Sequence, residues 1–174
     1  MGRRSGVFRR RRHDDPSDAA GATKELRLRA LQAEPAELGL PDPDDELHVF
    51  GVTVDMSFPN GVATLVAFAD GSTSLYTSTG FGIIGGGAHP EVAAASRELL
   101  RLAEEHRAAC APDASEDPPP QGFVTFRLRT PGGRLSATDD ESVLASGDSP
   151  LSPVFHAAHD VITELRRIDE ARRG

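Results

Sequence analysis

Two turn dipeptides within residues 48–90 constrain the fold of this chain more than any other feature of its sequence. Asn60-Gly61 and Asp70-Gly71 each separate apolar segments, and both favour type I′ hairpin turns, in which the two central residues adopt positive φ. We therefore predict three consecutive antiparallel strands joined by two tight hairpins. The middle strand, residues 62–69, is apolar on both sides, which predicts a position inside the sheet.

Two-residue loops at both dipeptides would also set the register of the strands, and with it the two faces of the sheet. On the apolar first face, this register aligns Met56, Leu65 and Tyr76 in one row. The second face carries Val66, Phe68 and Leu75 among polar residues. These three side chains are too apolar to face water as a patch, so either the chain's own helices or a protein partner covers them. They are the candidate interface.

A glycine-rich loop follows the third predicted strand, and residues 80–85 match the pattern GxGxxG of dinucleotide-binding loops. The next predicted helix starts near Pro90, five residues beyond the motif, whereas a pyrophosphate site needs the helix to begin within it. The preceding strands are also joined by hairpins and form no βαβ unit. We favour a structural or hinge role, with a nucleotide or another anion as alternatives. The candidate ligand-binding glycines are Gly80, Gly82, Gly85, Gly86 and Gly87.

Apolar periodicity predicts three helices and two further strands outside this region. The helices cover residues 23–33, residues 90–109 and the chain from Ser152 onwards; the strands cover 122–130 and 134–139. Between the second helix and these strands, residues 111–121 contain three consecutive prolines and are predicted to form a stiff loop.

This order of elements, α-βββ-α-ββ-α, predicts one α+β domain over residues 21–174. We expect an antiparallel sheet of about five strands with the helices packed mainly on one face. The order is similar to that of roadblock and profilin-like modules, which serve as dimeric regulatory or adaptor domains. The similarity covers the order of elements and no specific motif.

Charge is distributed unevenly along the chain. Residues 1–20 lack apolar periodicity, which predicts a disordered tail, and residues 1–13 hold no acidic residue. The tail contains six arginines: Arg3, Arg4, Arg9, Arg10, Arg11 and Arg12. Setting those six aside from the 19 basic residues leaves 13 against 27 acidic ones, a charge of −14 that disfavours nucleic-acid binding by the folded domain. The tail itself could make weak contact with an anionic surface.

Cysteine and histidine provide little support for catalysis. Cys110 is the single cysteine, which excludes an internal disulfide and suits a reducing compartment, so we expect a cytoplasmic protein. His156, His159 and Asp160 are the only clustered potential metal ligands, and their HxxHD pattern lacks the paired histidines of zinc hydrolases. We predict no catalytic residue, cofactor or metal, and no transmembrane segment.

The excess of arginine over lysine, with abundant Ala, Gly and Pro, is typical of GC-rich bacterial genomes.

These features favour a non-enzymatic binding or regulatory module that acts through contacts with a protein partner or with a second copy of itself. The alternative is a small-ligand or anion-binding protein, or an enzyme. That alternative would use the glycine-rich loop at residues 80–89, with help from His156, His159 or Asp160.

Overall fold

The structure, a computed structural model, describes residues 16–41 and 44–174. The six arginines of the predicted tail lie outside the described residues, so their contact with an anionic surface stays a prediction. Residues 16–20, which the sequence assigned to the tail, belong to the first helix. Among the described residues, no helix combines the length and apolar character needed to cross a bilayer.

The described chain forms an α+β domain built on one antiparallel sheet. Its α-helices are α1 (Pro16–Gln32), α2 (Pro90–His106), α3 (Glu141–Ser146) and α4 (Ser152–Arg173). Its strands are β1 (Gly51–Phe58), β2 (Gly61–Phe68), β3 (Thr73–Thr77), β4 (Gly82–Ile83), β5 (Ala111–Pro112), β6 (Phe123–Thr130) and β7 (Gly133–Asp140). Short 3-10 helices occupy Pro35–Leu38, Gly86–Ala88 and Arg107–Ala109.

The seven strands are arranged in the order β4-β3-β2-β1-β6-β7-β5. The predicted α+β class and antiparallel sheet are confirmed, and β2 lies inside the sheet as expected. The prediction of about five strands is only approximate, because β4 and β5 pair through two residues each at the outer edges. Two residues are too few to produce a periodic pattern that sequence reasoning could detect.

The first hairpin turns one residue earlier than predicted. Phe58 pairs with Gly61, so the loop consists of Pro59 and Asn60 and places Met56 opposite Ala63. Proline has no backbone N–H and a fixed φ near −65°, so it suits the first central position of a turn better than a paired strand position. The register therefore moves by two residues, which leaves every β2 side chain on its predicted face.

The second hairpin has a three-residue loop where two residues were predicted, and this changes the faces of β3. Leu65 pairs with Leu75, where Tyr76 was predicted. Gly71 adopts a φ of 92°, and the Asp70 carboxylate accepts hydrogen bonds from the Ser72 N–H and hydroxyl, both at 2.8 Å. A positive-φ glycine that closes a three-residue loop is a common hairpin solution. The one-residue shift puts Leu75 on the first face and Tyr76 on the second.

The main core lies between the first face and helices α2, α3 and α4. Its strand residues include Val52, Val54, Leu65 and Leu75, and its helical residues include Val92, Leu99, Leu144, Val161 and Leu165. Three of the four helices therefore cover one face of the sheet, as the sequence led us to expect.

The remaining helix, α1, covers the second face. Its Ala30, and Ala33 just beyond its C-terminal end, form a separate buried cluster with Phe50, Val66, Phe68 and Tyr76. The chain's own helix thus covers Val66 and Phe68, one of the two alternatives that the sequence left open. Leu75, the third residue of the candidate interface, is absent from this surface because it lies in the main core.

Candidate functional site

Polar side chains are buried on the second face, between α1 and the sheet. The buried polar residues of this face include Thr53, Asp55, Ser57, Thr64, Thr125, Arg127 and Arg129. Burial of polar groups is unfavourable unless they are hydrogen-bonded or paired. Most of this set is bonded internally, but Thr53 Oγ1 and Arg127 Nε are buried without a partner among the described residues.

Asp55 is the centre of this polar set and is completely buried, with 0% exposure. Arg27 of α1 donates to both of its carboxylate oxygens, through Nε at 3.2 and 3.1 Å and through Nη2 at 2.6 Å. Arg127 of β6 donates to the same carboxylate from the other side, and the Thr64 hydroxyl donates at 2.6 Å. One carboxylate therefore joins α1, β1, β2 and β6.

The same arginines hold the proline-rich segment, residues 111–121, against the second face. Arg27 Nη1 donates to the backbone carbonyl of Glu116 at 2.7 Å, and Arg127 donates to that of Asp117. The Ser57 hydroxyl donates to the carbonyl of Pro119 at 2.6 Å. Beyond the two residues of β5, the segment belongs to no strand, and side-chain donors bond to its carbonyls instead.

Two further arginines fasten the C-terminal end of α1. Arg129 donates to the Ala33 carbonyl at 3.0 and 2.8 Å, and Arg134 donates to the Leu31 carbonyl at 3.3 Å. These carbonyls belong to the last turn of the helix and its exit, where intrahelical donors are lacking. The attachment of α1 to the sheet therefore depends on arginine hydrogen bonds as well as on apolar contact.

A pocket of about 460 Å³, here called the Tyr76 pocket, opens between the N-terminal half of α1 and strands β2 and β3. It is lined by Ala20, Gly21, Thr23, Lys24, Arg27, Val62, Thr64, Tyr76, Thr77, Ser78 and Pro118. Burial, and then the charge of Asp55, raises the pKa of Tyr76, while the charge of Arg27 opposes this rise. The phenol is therefore neutral at physiological pH and can donate a hydrogen bond.

A second concavity of about 630 Å³, here called the Phe68 groove, lies beside the C-terminal half of α1. Val66 and Phe68 line it from the sheet, Leu38 lines it from the 3-10 helix Pro35–Leu38, and Ile84 lines it from the loop after β4. Ile84 is 61% exposed and Phe81 is 40% exposed, although both are large apolar side chains. Two of the three predicted interface residues thus line a groove that also contains the exposed Ile84 and the polar residues Arg29, Glu37, Ser72 and Ser74.

The glycine-rich loop packs closely against its own chain. A Cβ on Gly87 would lie 1.6 Å from the Gly71 carbonyl oxygen, and one on Gly86 would lie 2.1 Å from a Leu165 methyl group. A Cβ on Gly80 would lie 2.8 Å from the Cβ of Ala19. Gly82 is paired in β4, and Gly85 has a φ of 76°. Close packing explains Gly80, Gly86 and Gly87 without a ligand.

The histidine cluster lies on α4, where His156 and Asp160 are exposed and His159 is half-buried. The ring centroid of His159 is 4.5 Å from that of Phe155, and burial lowers the pKa of His159. Within the described ranges, no group of three or more His, Cys, Asp or Glu residues could hold a metal ion. Burial also raises the pKa of the Cys110 thiol to about 11, which keeps it protonated and poorly nucleophilic at neutral pH.

Comparison of the chain with family models, with curated proteins and with solved structures finds no match. The function proposed below is therefore argued from the geometry of the molecule alone. Sequence reasoning placed Val66 and Phe68 on the second face but did not identify Asp55, Arg27 or Tyr76 as site residues. One signal was available: Asp55 is the one charged residue in a strand that is otherwise uncharged, which predicts a buried charge that needs a partner.

Proposed function

We propose that the protein is a non-enzymatic binding module that acts through protein contacts, and that it self-associates through the Phe68 groove and the exposed Ile84 at its edge. The observation that carries this proposal is the high exposure of Ile84, 61%, at the edge of a groove lined by Val66 and Phe68. Large apolar side chains that stand in water beside an apolar concavity are typical of interaction surfaces.

The arrangement favours a second copy of the chain as the partner. A surface that carries both a protruding side chain and a groove beside it is self-complementary under two-fold symmetry, the commonest symmetry of protein dimers. Each Ile84 would enter the groove of the other copy, so the contact would be made twice. Burial of the exposed 61% of each Ile84 contributes roughly 1–2 kcal/mol, which makes these two contacts a substantial part of a dimer's stability.

Sedimentation velocity over a concentration series tests the proposal. We expect the wild type to form dimers and the Ile84→Asp variant to remain monomeric, because a carboxylate would have to be desolvated inside an apolar groove. Leu47→Asp is the matched control, since Leu47 is 48% exposed and does not line the groove. It should dimerise as the wild type does.

A wild type that stays monomeric throughout the series would refute self-association. Equal weakening by both variants would refute the assignment to the groove. The alternative function, ligand binding through the glycine-rich loop with His156, His159 or Asp160, stays a prediction that the packing of Gly86 and Gly87 does not favour.

A further inference from the structure

The chain contains a single lysine and a single tyrosine, and both line the Tyr76 pocket. Lys24 is exposed on α1, while Tyr76 is buried to 4% exposure on β3. Eighteen arginines supply every other basic side chain apart from histidine, so this lysine is the exception in the sequence. We propose that the Tyr76 pocket binds a small apolar molecule that carries one anionic group.

The apolar part of the ligand follows from the size and lining of the pocket. A volume of about 460 Å³ lies within the range of small-molecule sites, roughly 300–1,000 Å³. Ala20, Val62, Pro118 and the Tyr76 ring provide apolar surface. Several polar groups among the lining residues are already engaged within the protein: the Thr23 hydroxyl donates to the Ala20 carbonyl.

The anionic group follows from Lys24. Arg27 also lines the pocket, but its guanidinium donates to Asp55 and to the Glu116 carbonyl, so its charge is largely committed. Within the described part of the chain, Lys24 makes no salt bridge, and the neighbouring Glu25 pairs with Arg29 at 3.6 Å. The ammonium group is therefore the free cation of this pocket.

A second polar contact is available from the Tyr76 hydroxyl. It makes no hydrogen bond to any residue that the structure describes, although Tyr76 is almost fully buried and lines the pocket. The hydroxyl oxygen is not among the buried atoms that lack a partner, so it is accessible and free to bond to a ligand in the pocket. Because burial raises its pKa, the phenol remains protonated and can donate to an anionic oxygen.

Intrinsic fluorescence tests the proposal directly. The chain has no tryptophan and one tyrosine, so its emission comes from Tyr76, which lines both the Tyr76 pocket and the Phe68 groove. Titrations with octanoate, octanol and inorganic phosphate separate the two parts of the ligand. We expect saturable changes with octanoate, weaker binding of octanol and none of phosphate.

Variants then assign the anionic contact. Lys24→Met keeps the length of the side chain and removes its charge, so octanoate should bind about fivefold more weakly while octanol binding stays unchanged. Arg29→Met is the control, because it removes an exposed charge from the same helix outside the pocket. It should leave both affinities unchanged.

The proposal fails if octanoate leaves the fluorescence unchanged, if octanol binds as tightly as octanoate, or if Lys24→Met and Arg29→Met weaken octanoate equally. Two variants separate ligand binding from self-association, because Lys24 lies outside the Phe68 groove and Ile84 lies outside the Tyr76 pocket. The Ile84→Asp variant should therefore bind octanoate as the wild type does.

Discussion

Replacement of Asp55 by alanine should destabilise the protein more than any surface charge change. The carboxylate is fully buried and accepts hydrogen bonds from Arg27, Arg127 and Thr64. Its removal would leave Arg127, at 2% exposure, without its counter-ion and without access to water. Breaking a buried ion pair by removing one partner costs about 3–5 kcal/mol.

Such a loss is large against the total stability of a domain, about 5–15 kcal/mol, and it should lower Tm by roughly 6–20 °C. Urea denaturation followed by circular dichroism measures it. Arg27→Met should cost less than Asp55→Ala, because Arg127 still neutralises the carboxylate. If Asp55→Ala does not fold, Asp55→Asn provides the measurement, since it keeps the shape of the side chain and one acceptor oxygen.

The exposed pair between Glu98 and Arg101, with Nη2 and Oε1 2.7 Å apart, supplies the control. Glu98→Ala should leave the urea midpoint unchanged, because solvent screens exposed pairs. A cost below about 1 kcal/mol for Asp55→Ala would refute the assignment of a structural role to this ion cluster.

Two further predictions concern packing and pH. Gly87→Ala should destabilise the protein by about 1–3 kcal/mol, because the added Cβ would collide with the backbone of Gly71. The control Gly82→Ala should change stability by less than about 0.5 kcal/mol. Equal urea midpoints for the two variants would contradict the close contact. Burial lowers the pKa of His159 below its ordinary value of 6.5, so the unfolded state binds its proton more readily and stability falls as pH decreases from about 6.5. His159→Gln should lose less stability than the wild type over that interval, and parallel pH profiles of the two proteins would show that His159 contributes nothing to this dependence.

Local sequence patterns were sufficient for the order of the main elements. Apolar periodicity located α2, α4, β6 and β7, because each pattern depends only on residues within one element. The apolar character of residues 62–69 also placed β2 inside the sheet. The short elements β4, β5 and α3 were not predicted, because a few residues do not define a period.

These local patterns did not predict the length of the second hairpin loop. Asp70-Gly71 suits a two-residue loop and also the end of a three-residue loop, and only the packing of β3 decides between them. The one extra residue in the loop places Tyr76, and not Leu75, on the second face. The candidate interface therefore lost one member, and the Tyr76 pocket was not foreseen.

The sequence by itself determined the α+β class, the antiparallel sheet and an apolar second face around Val66 and Phe68 that something had to cover. Only the tertiary structure decided what covers it and where a ligand could enter. Arg27 and Arg127 stand 28 and 72 residues from Asp55, and the Tyr76 pocket joins residues of α1, β2, β3 and the proline-rich segment. Such contacts between distant residues leave no local period in the sequence, because they depend on how complete elements pack.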